Sequence, residues 1–299
     1  VDVRSAVFDA FARIEKLYNN QQPITGIETG FDKLDQLTSG LQNSDLIIVA
    51  ARPSMGKTTF VLNLALHAAI KKNKKVAIFS LEMSKEQLVL KMLSSLAKID
   101  SNKLRKGNLA TSDWQKLTDA AGQLSGAPIY VDDTPGTNLM DIRSKVRRLK
   151  ADKGIEMIVI DYLQLMSAPP DKSRNTERHL VISEISRGMK ILAKEMNIPI
   201  IALSQLNRST ETRENKRPIM SDLRESGSIE QDADIIMFIY RDEVYKKKHG
   251  DNEDDSKKGE TEIIIAKHRN GPIDTIKLLF QGEFSRFVNL DHEHSDVSW

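Results

Sequence analysis

The first residues of the chain have the hydrophobic periodicity of a helix. Val3, Val7, Phe11, Ile14 and Tyr18 follow one another at steps of three or four residues, which places them on one helical face. A polar stretch that contains Pro and Gly comes next. We therefore predict that residues 1–20 form an amphipathic linker helix outside the main domain, which we assign to residues 21–299. An ordinary first core helix is the alternative.

Short apolar runs alternate with helical patterns between residues 46 and 240. The predicted strands are Leu46–Ala50, Val76–Phe79, Ile129–Val131, Met157–Asp161, Ile200–Ser204 and Ile235–Tyr240. The helices predicted between them are Thr58–Lys71, Glu86–Leu96, Asp113–Leu124, Leu139–Asp152 and Glu177–Met196. Because continuous apolar runs suit strands that are covered on both faces, the alternation predicts an α/β fold with a mostly parallel central sheet and helices on both faces.

The last part of the chain has a different pattern. Glu262–His268 and Ile273–Phe280 flank Asn270-Gly271, a sequence that favours a tight hairpin turn. The sheet is therefore expected to end in antiparallel strands. The charged segment that begins at Lys246 contains no apolar residue before Thr261 and is interpreted as a solvated loop.

Composition excludes several classes of protein. The 299 residues include no Cys, which rules out disulfide frameworks, thiolate metal sites and Cys nucleophiles. No apolar run approaches the roughly 18 residues of a membrane helix, and the amino terminus lacks the pattern of a signal peptide. We expect a cytoplasmic protein that is part of a longer chain, since an initiator Met is also lacking. With a formal net charge of +2, contacts with a polyanion must come from local clusters.

The strongest chemical motif lies between the first predicted strand and the helix that follows it. Its residues are Arg52, Pro53, Ser54, Met55, Gly56, Lys57, Thr58 and Thr59. A loop of this kind points backbone N–H groups and a helix N-terminus at phosphates, its Lys reaches the β- and γ-phosphates, and its hydroxyl binds Mg²⁺. We predict those roles for Lys57 and Thr58, although Ala51 stands where the general pattern begins with Gly. A chance Gly-Lys-Thr at a helix start is the alternative.

Three polar side chains follow other predicted strands and are expected near this loop, because strand ends in open α/β sheets face the ligand crevice. Asp161 is the candidate metal carboxylate, with a turn-capping Asp as the alternative. Glu82 is a candidate general base for an attacking water, and a simple charge at a helix N-terminus explains it equally well. Gln205 is positioned to hydrogen-bond the γ-phosphate and to report its loss to the loop that follows.

The segment from Leu206 to Ser228 is rich in both charges and poor in apolar residues. Its Arg side chains and the backbone N–H of Gly227 are suited to hold the phosphates of a single nucleic-acid strand. It contains no aromatic residue for base stacking, so such a grip would be on the backbone and not on the sequence. Charge alone favours the alternative of a solvated loop.

Lys267 and Arg269 lie two residues apart at a strand end, so their side chains leave on one face. In a ring of subunits such a pair can reach a neighbour's γ-phosphate, as arginine fingers do; without a ring it is a cationic strand end. His292 and His294 are interpreted as part of a solvated tail rather than a metal site. The basic run on the fourth predicted helix is interpreted as structural and comprises Arg143, Lys145, Arg147, Arg148 and Lys150.

Seven segments occur together in the order found in one family of ATPases. They are TGFDKLDQLTSGL, ARPSMGKTT, FSLEM, MIVIDYLQLM, IIALSQLNR, DLRESGSIEQDADI and AKHRNGP. Through them the chain resembles the helicase domain of bacterial and phage replicative DNA helicases, the DnaB family of RecA-like ATPases, from the first helix to about Leu290. Ala51 is common in that family. The resemblance implies a RecA-like P-loop ATPase fold for residues 21–299.

The resemblance also implies ATP and Mg²⁺ as ligands and suggests roles for matching residues. Lys57 and Thr58 would bind phosphate and Mg²⁺, Asp161 would hold the metal, Glu82 would be the base, and Gln205 would sense the γ-phosphate. Further matches assign Lys267 and Arg269 to the nucleotide of the adjoining subunit, and Arg224, Glu225 and Gly227 to the central DNA-binding loop.

The activity that the resemblance implies is that of a replicative helicase. It would form a homo-hexamer that moves 5′ to 3′ on single-stranded DNA, with the amino-terminal helix docked on the next subunit. Primase and a helicase loader are the expected partners of the full-length protein, and no membrane contact is expected. A RecA-like recombinase filament and an ATP-regulated DNA clamp or assembly factor are the alternatives. The lack of stacking aromatics weighs against the first, and the pairing of Glu82 with Asp161 weighs against the second.

Overall fold

The computed structural model describes residues 2–20, 24–161, 163–166, 178–223, 227–249 and 258–290. Within these ranges the strands are β1 Leu46–Ala51, β2 Val76–Ser80, β3 Ile129–Asp132, β4 Met157–Asp161, β5 Ile200–Gln205, β6 Ile235–Tyr240, β7 Glu260–His268, β8 Asp274–Gln281 and β9 Arg286–Asn289. They form one sheet in the order β3-β2-β4-β5-β1-β6-β7-β8-β9. Neighbours from β3 to β6 are parallel, and neighbours from β6 to β9 are antiparallel. The predicted fold class is therefore confirmed.

The described residues also form α-helices, most of which pack around this sheet. They are α1 Val3–Asn20, α2 Asp32–Thr38, α3 Lys57–Leu66, α4 Lys85–Ala97, α5 Ser101–Lys106, α6 Thr111–Gly126, α7 Leu139–Lys153, α8 Arg178–Met196, α9 Gly227–Asp232 and α10 Asp242–His249. One π-helical turn, His67–Lys71, continues α3 and completes the helix predicted to end at Lys71. The predicted start of α8, Glu177, lies outside the described residues.

Strand β1 illustrates why the central sheet is buried on both faces. Ile47 and Val49 belong to a hydrophobic cluster that also contains Phe60 of α3. The alternate residues Leu46 and Ile48 belong to a second cluster, which includes side chains of α7 and α8. Because successive strand residues point to opposite faces, a continuous apolar run is what a two-sided core requires.

Several short elements were not predicted. Helices α2, α5, α9 and α10 have six to eight residues each, too few for a clear helical period. The solvated loop predicted from Lys246 is wrong at its start, because α10 extends to His249, and residues 250–257 lie outside the described ranges. Strand β9 was also missed, because it has only four residues and Gly282–Phe284, the turn that joins it to β8, contains no Asn-Gly or Asp-Gly signal.

The segment after β5 is more ordered than the solvated loop that its charge favours. It contains two 3₁₀ turns, Arg208–Thr212 and Met220–Leu223. Arg213 holds the two turns together through hydrogen bonds of 3.0 and 2.7 Å to the buried carboxylate of Asp222. Because Asp222 is buried, separating the pair would leave its charge uncompensated, so the pair keeps the two turns together.

The basic run on α7 is structural, as its interpretation predicted. Arg143 lies 3.0 Å from Glu195 of α8, and Lys145 lies 2.7 Å from Asp132 at the end of β3. Lys150 donates a hydrogen bond of 2.9 Å to the carbonyl of Ile155. These cations fasten α7 to its neighbours.

Helix α1 presents its apolar stripe to solvent. Val3, Phe11 and Tyr18 are 75%, 68% and 83% exposed. Such a row of large apolar side chains is expected to be covered by a partner surface. Among the described residues, no helix is both long and apolar enough to cross a membrane.

Candidate nucleotide-binding site

The loop between β1 and α3 has a backbone shape that few sequences permit. Ser54 and Gly56 have φ angles of 69° and 90°, in the left-handed region. At Gly56 a Cβ atom would lie 3.0 Å from the ring of Phe287, so a side chain is disfavoured by both backbone and space. Helix α3 begins directly afterwards at Lys57, and the first N–H groups of a helix have no partner within it. The loop and helix start therefore provide the donors of an anion site.

The side chains that follow the loop meet the end of β4. The hydroxyl of Thr58 donates a hydrogen bond of 2.8 Å to Oδ2 of Asp161. Asp161 is buried, and in the described part of the chain its Oδ1 has no hydrogen-bond partner. A hydroxyl beside a buried carboxylate oxygen fits Mg²⁺, which prefers oxygen ligands and keeps several of its waters.

Burial changes the acidity of this group of side chains. It lowers the pKa of Lys57, and the carboxylates of Asp161 and Glu82 oppose that shift. Burial likewise raises the pKa of Asp161, which the neighbouring Lys57 ammonium and the Thr58 hydroxyl oppose. Burial therefore disfavours the charged form of each group, and the oppositely charged neighbour offsets this only in part, so an anionic ligand with its metal ion would stabilise both charges.

Glu82 and Gln205 line the same cavity of about 370 Å³ as the loop. Glu82 follows β2 and is exposed, and Gln205 is the exposed last residue of β5. Parallel strands bring their carboxyl ends to one edge, which is why residues far apart in sequence meet here. The structure therefore brings Glu82 and Gln205 to the cavity beside the loop, and Asp161 into contact with Thr58. All three strand-end residues lie next to the loop, as expected.

The remaining loop residues contribute mainly through their backbone. Met55 and Thr59 are buried, and Arg52 lines the cavity while its guanidinium contacts the segment after β5. The Arg52 guanidinium donates a 2.8 Å hydrogen bond to the carbonyl of Leu206 and lies 2.9 Å from Glu211. Arg52 thus attaches the loop to the segment after β5, a link that the sequence did not suggest.

Lys267 and Arg269 lie at the opposite edge of the sheet. His268, between them, pairs with Ile235, the first residue of β6. Since β6 is parallel to β1 and pairs with it from Ile47, this is the edge at which β1 begins, whereas the phosphate loop follows its end. Six strand residues separate the two positions by about 20 Å. These cations are therefore far from the nucleotide site of their own chain.

Three comparisons with known proteins agree with this geometry. The family described as "DnaB-like helicase C terminal domain" matches residues 26–289. This chain belongs to the DnaB-like helicase family. The replicative DNA helicase DnaB of Geobacillus stearothermophilus is 53% identical over 99% of the chain, and the replicative DNA helicase DnaC of Bacillus subtilis is 51% identical over 99%. The chain spans 63% of the length of each of these relatives.

Solved structures of DnaB-like proteins confirm the RecA-like fold. The structure described as "ATPase Domain of G40P" has a TM-score of 0.88 and 40% identity, covering 97% of this chain and 99% of that one. A DnaB-like replicative helicase, solved in a study of its interactions with primase, has a TM-score of 0.86 and 39% identity. That match covers 97% of this chain and 67% of the other.

Lys91 also belongs to the site of this DnaB-like domain, although the sequence did not indicate it. It lies on α4, lines the cavity beside the loop and interacts electrostatically with the carboxylate of Asp161. Burial lowers the pKa of Lys91. Lys91 lies in the middle of a helix and belongs to no sequence motif. Its place at the site follows only from the packing of α4 against the sheet.

Gln164 is a second residue that was missed. Its side-chain amide donates to the hydroxyl of Ser204 at 2.8 Å and accepts from the backbone N–H of Gln205 at 3.2 Å. It therefore fixes the end of β5, where Gln205, the predicted γ-phosphate sensor, is located.

Part of the predicted DNA-binding loop of this DnaB-like domain, Arg224 and Glu225, lies outside the described residues, whereas Gly227 starts α9. His292 and His294 also lie outside them.

Proposed function

We propose that this chain is the motor domain of an ATP-driven replicative DNA helicase. The proposal extends to a homo-hexamer that moves 5′ to 3′ on one DNA strand and displaces the other. The observation that carries it is the separation of two half-sites: a phosphate loop with its acids at one edge of the sheet, and two cations at the other edge. Family membership supports the reaction and the nucleic-acid substrate.

The proposed chemistry at the loop is hydrolysis of the γ-phosphate of ATP. Lys57 would bind the β- and γ-phosphates, and Thr58 with Asp161 would hold Mg²⁺, which neutralises charge on those phosphates when bound. Glu82 would accept the proton of the attacking water, a role for which its exposed position at the cavity is suitable. Gln205 would hydrogen-bond the γ-phosphate and lose that contact after hydrolysis.

The other half of each active site would come from the neighbouring subunit. Lys267 and Arg269 stand about a strand length away from the loop of their own chain, which supports their action on another subunit's nucleotide. Helix α1, residues 1–20, would hold the ring together by burying its exposed stripe on the next subunit, while residues 21–299 form the ATPase domain. Each contact is heterologous, so it closes into a ring if the rotation between subunits allows it.

The loop that contains Arg224, Glu225 and Gly227 is proposed to hold the DNA strand by its phosphates. Replacing Arg224 with Ala should weaken binding of single-stranded DNA about equally for all sequences and lower the salt slope by about one. A loss that depended on DNA sequence would contradict a grip on the backbone. Primase, a helicase loader and a cytoplasmic location belong to the same proposal for the full-length protein.

The first test is the rate of ATP hydrolysis per subunit against protein concentration, with and without single-stranded DNA. A shared site predicts a rate that rises with both. In protein of equal assembly state, measured by sedimentation, Arg269→Ala should lower the DNA-stimulated rate by about 10³-fold. A variant that assembles and keeps the full rate would show that Arg269 does not serve a shared site.

Unwinding and architecture need separate measurements. A forked duplex with a 5′ single-stranded tail should be unwound and one with only a 3′ tail should not. Imaging should show closed rings. Open filaments would favour a RecA-like recombinase, and ATP binding without hydrolysis would favour a DNA clamp.

A further inference from the structure

A buried carboxylate lies behind Arg269 at the edge of the sheet where β1 begins. Asp234 immediately precedes β6 and is 3% exposed. Its Oδ2 accepts a hydrogen bond of 2.8 Å from the N–H of Leu46 and another from Nζ of Lys190. Its Oδ1 lies 3.4 Å from Nη1 of Arg269. One carboxylate therefore contacts β1, α8 and the predicted finger.

This carboxylate is held in place from several directions. The backbone N–H of Asp234 donates to Leu46 at 2.9 Å, and the N–H of Arg269 donates to the carbonyl of Asp234 at 2.8 Å. Lys190 in turn donates a hydrogen bond of 2.7 Å to the carbonyl of Ser44. Because Oδ2 and the backbone of Asp234 are hydrogen-bonded to β1, α8 and Arg269, Oδ1 has a fixed position against the Arg269 guanidinium.

Arg269 is, by contrast, partly exposed, with 45% of its side chain accessible. A long exposed side chain samples many rotamers, and ordering it costs free energy at the moment it acts. The contact with Asp234 and a 2.8 Å hydrogen bond from Nη2 to the carbonyl of Gln231 restrict it beforehand. The hydrogen bond to Gln231 uses one of the five N–H donors of the guanidinium, and the contact with Asp234 is an ion pair, so the planar fork can present other donors to a phosphate.

The hydrogen bond from Arg269 to Gln231 connects Arg269 to the helix that follows the proposed DNA-binding loop. Gln231 lies in the last turn of α9, the helix that follows residues 224–226. Lys267 donates from Nζ to the carbonyl of Glu230 in the same turn. Carbonyls at the end of a helix lack partners within it and favour cations. Both predicted fingers are therefore attached to the helix that begins at Gly227.

We propose that Asp234 is the positioning residue of Arg269: with the last turn of α9 it preorganises the guanidinium for the nucleotide of the neighbouring subunit. The inference rests on the proposed function, since it requires Arg269 to act there. The contacts of Lys267 and Arg269 with Glu230 and Gln231 show in addition that both cations are attached to α9. Asp234 would act through Arg269 and would not contact the nucleotide.

A double-mutant cycle tests this inference with the whole chain. Asp234→Asn should lower kcat for DNA-stimulated ATP hydrolysis by about tenfold and leave KM for ATP within about twofold, since the loop that binds ATP is unchanged. In the Arg269→Ala background, Asp234→Asn should cause no further loss, because its effect passes through the missing side chain. An additional tenfold loss in that background would overturn the inference.

Controls separate positioning from folding and from failure of the shared site. Asp35→Asn is a matched control, because Asp35 is also buried and accepts a backbone hydrogen bond, from Thr29, away from Arg269. If Asp234→Asn does not fold, the pair Asp234→Asn with Lys190→Gln removes the unpaired buried charge and repeats the cycle. If Arg269→Ala keeps the full rate, the proposed function fails; if only Arg269→Ala is impaired and Asp234→Asn is normal, the inference alone fails.

Discussion

The two edges of the central sheet use charged residues in opposite ways. At the edge where the parallel strands end, Lys57, Thr58 and Glu82 line a cavity. Asp161 accepts a hydrogen bond from Thr58 there, and its Oδ1 has no hydrogen-bond partner among the described residues. At the edge where they begin, Asp234 is bonded by a backbone N–H and by Lys190, and Arg269 rests against it. The first edge is arranged to receive a ligand, whereas the second is arranged to hold a side chain in one place.

This difference indicates how one chain can supply two unlike halves of an active site. A site that binds a metal and a polyphosphate needs charges whose partner is the ligand. Under the proposed function Arg269 acts on another subunit, and its contacts with Asp234 and Gln231 restrict it within its own chain beforehand.

The largest effect is expected from mixing variants of the two edges. Lys57→Ala and Arg269→Ala should each lower ATP hydrolysis by about 10³-fold, because each removes a cation that would stabilise the charge on the transferred phosphate in the transition state. In a 1:1 mixture, about a quarter of the subunit boundaries would combine an intact loop with an intact finger. We therefore expect hydrolysis to recover to about a quarter of the wild-type rate. A mixture no more active than its components would contradict sites shared between subunits.

Much of the first edge could be predicted from the sequence because each part of it is local. The phosphate loop is one continuous motif, and Asp161, Glu82 and Gln205 each follow an apolar run that predicts a strand. Strands that run parallel bring such residues together without further information. Lys91 was missed because its direction depends on how α4 packs against the sheet.

The contacts at the second edge could not be predicted from the sequence in this way. Asp234 and Arg269 are joined by the register of β6 against β7, which includes a shift between Ile236 and Met237. A shift of one residue reverses the face on which a side chain lies, so sequence pattern alone does not fix the pair. The spacing of Lys267 and Arg269 identified them as a pair of cations. The groups that they contact, backbone carbonyls of α9 and the buried Asp234, belong to no sequence motif.

Lys91→Met should have the next largest effect. The substitution keeps the volume of the side chain and removes a cation beside Asp161, so we expect kcat/KM for ATP to fall by about tenfold. Lys103→Met on α5, at an exposed position, is the control for loss of a surface charge and should leave hydrolysis unchanged. Equal rates for both variants would show that Lys91 only supports packing.

Gln164→Ala should affect the first edge more weakly. It removes the side chain that holds Ser204 and the backbone of Gln205, so kcat should fall about threefold to tenfold while KM for ATP is unchanged. Gln164→Glu keeps the acceptor for the N–H of Gln205 and should give an intermediate rate. A rise in KM without change in kcat would mean that Gln164 supports ATP binding instead.

The smallest effect is a pH dependence of stability at the second edge. Burial and the nearby carboxylate of Asp234 raise the pKa of Asp45 to about 6 from 3.8, while Lys190 and Arg269 oppose the shift. Between these two values the folded chain binds more protons than the unfolded chain, so the contribution of Asp45 to stability falls as the pH rises through about 6. Urea unfolding at several pH values should therefore show Asp45→Asn gaining stability relative to wild type above pH 6, with no such gain below about pH 4. Arg269→Ala should enlarge that gain, because it removes a cation that favours ionised Asp45. A difference between wild type and Asp45→Asn that did not change with pH would mean that the carboxylates at this edge are solvated and do not form one cluster with Arg269.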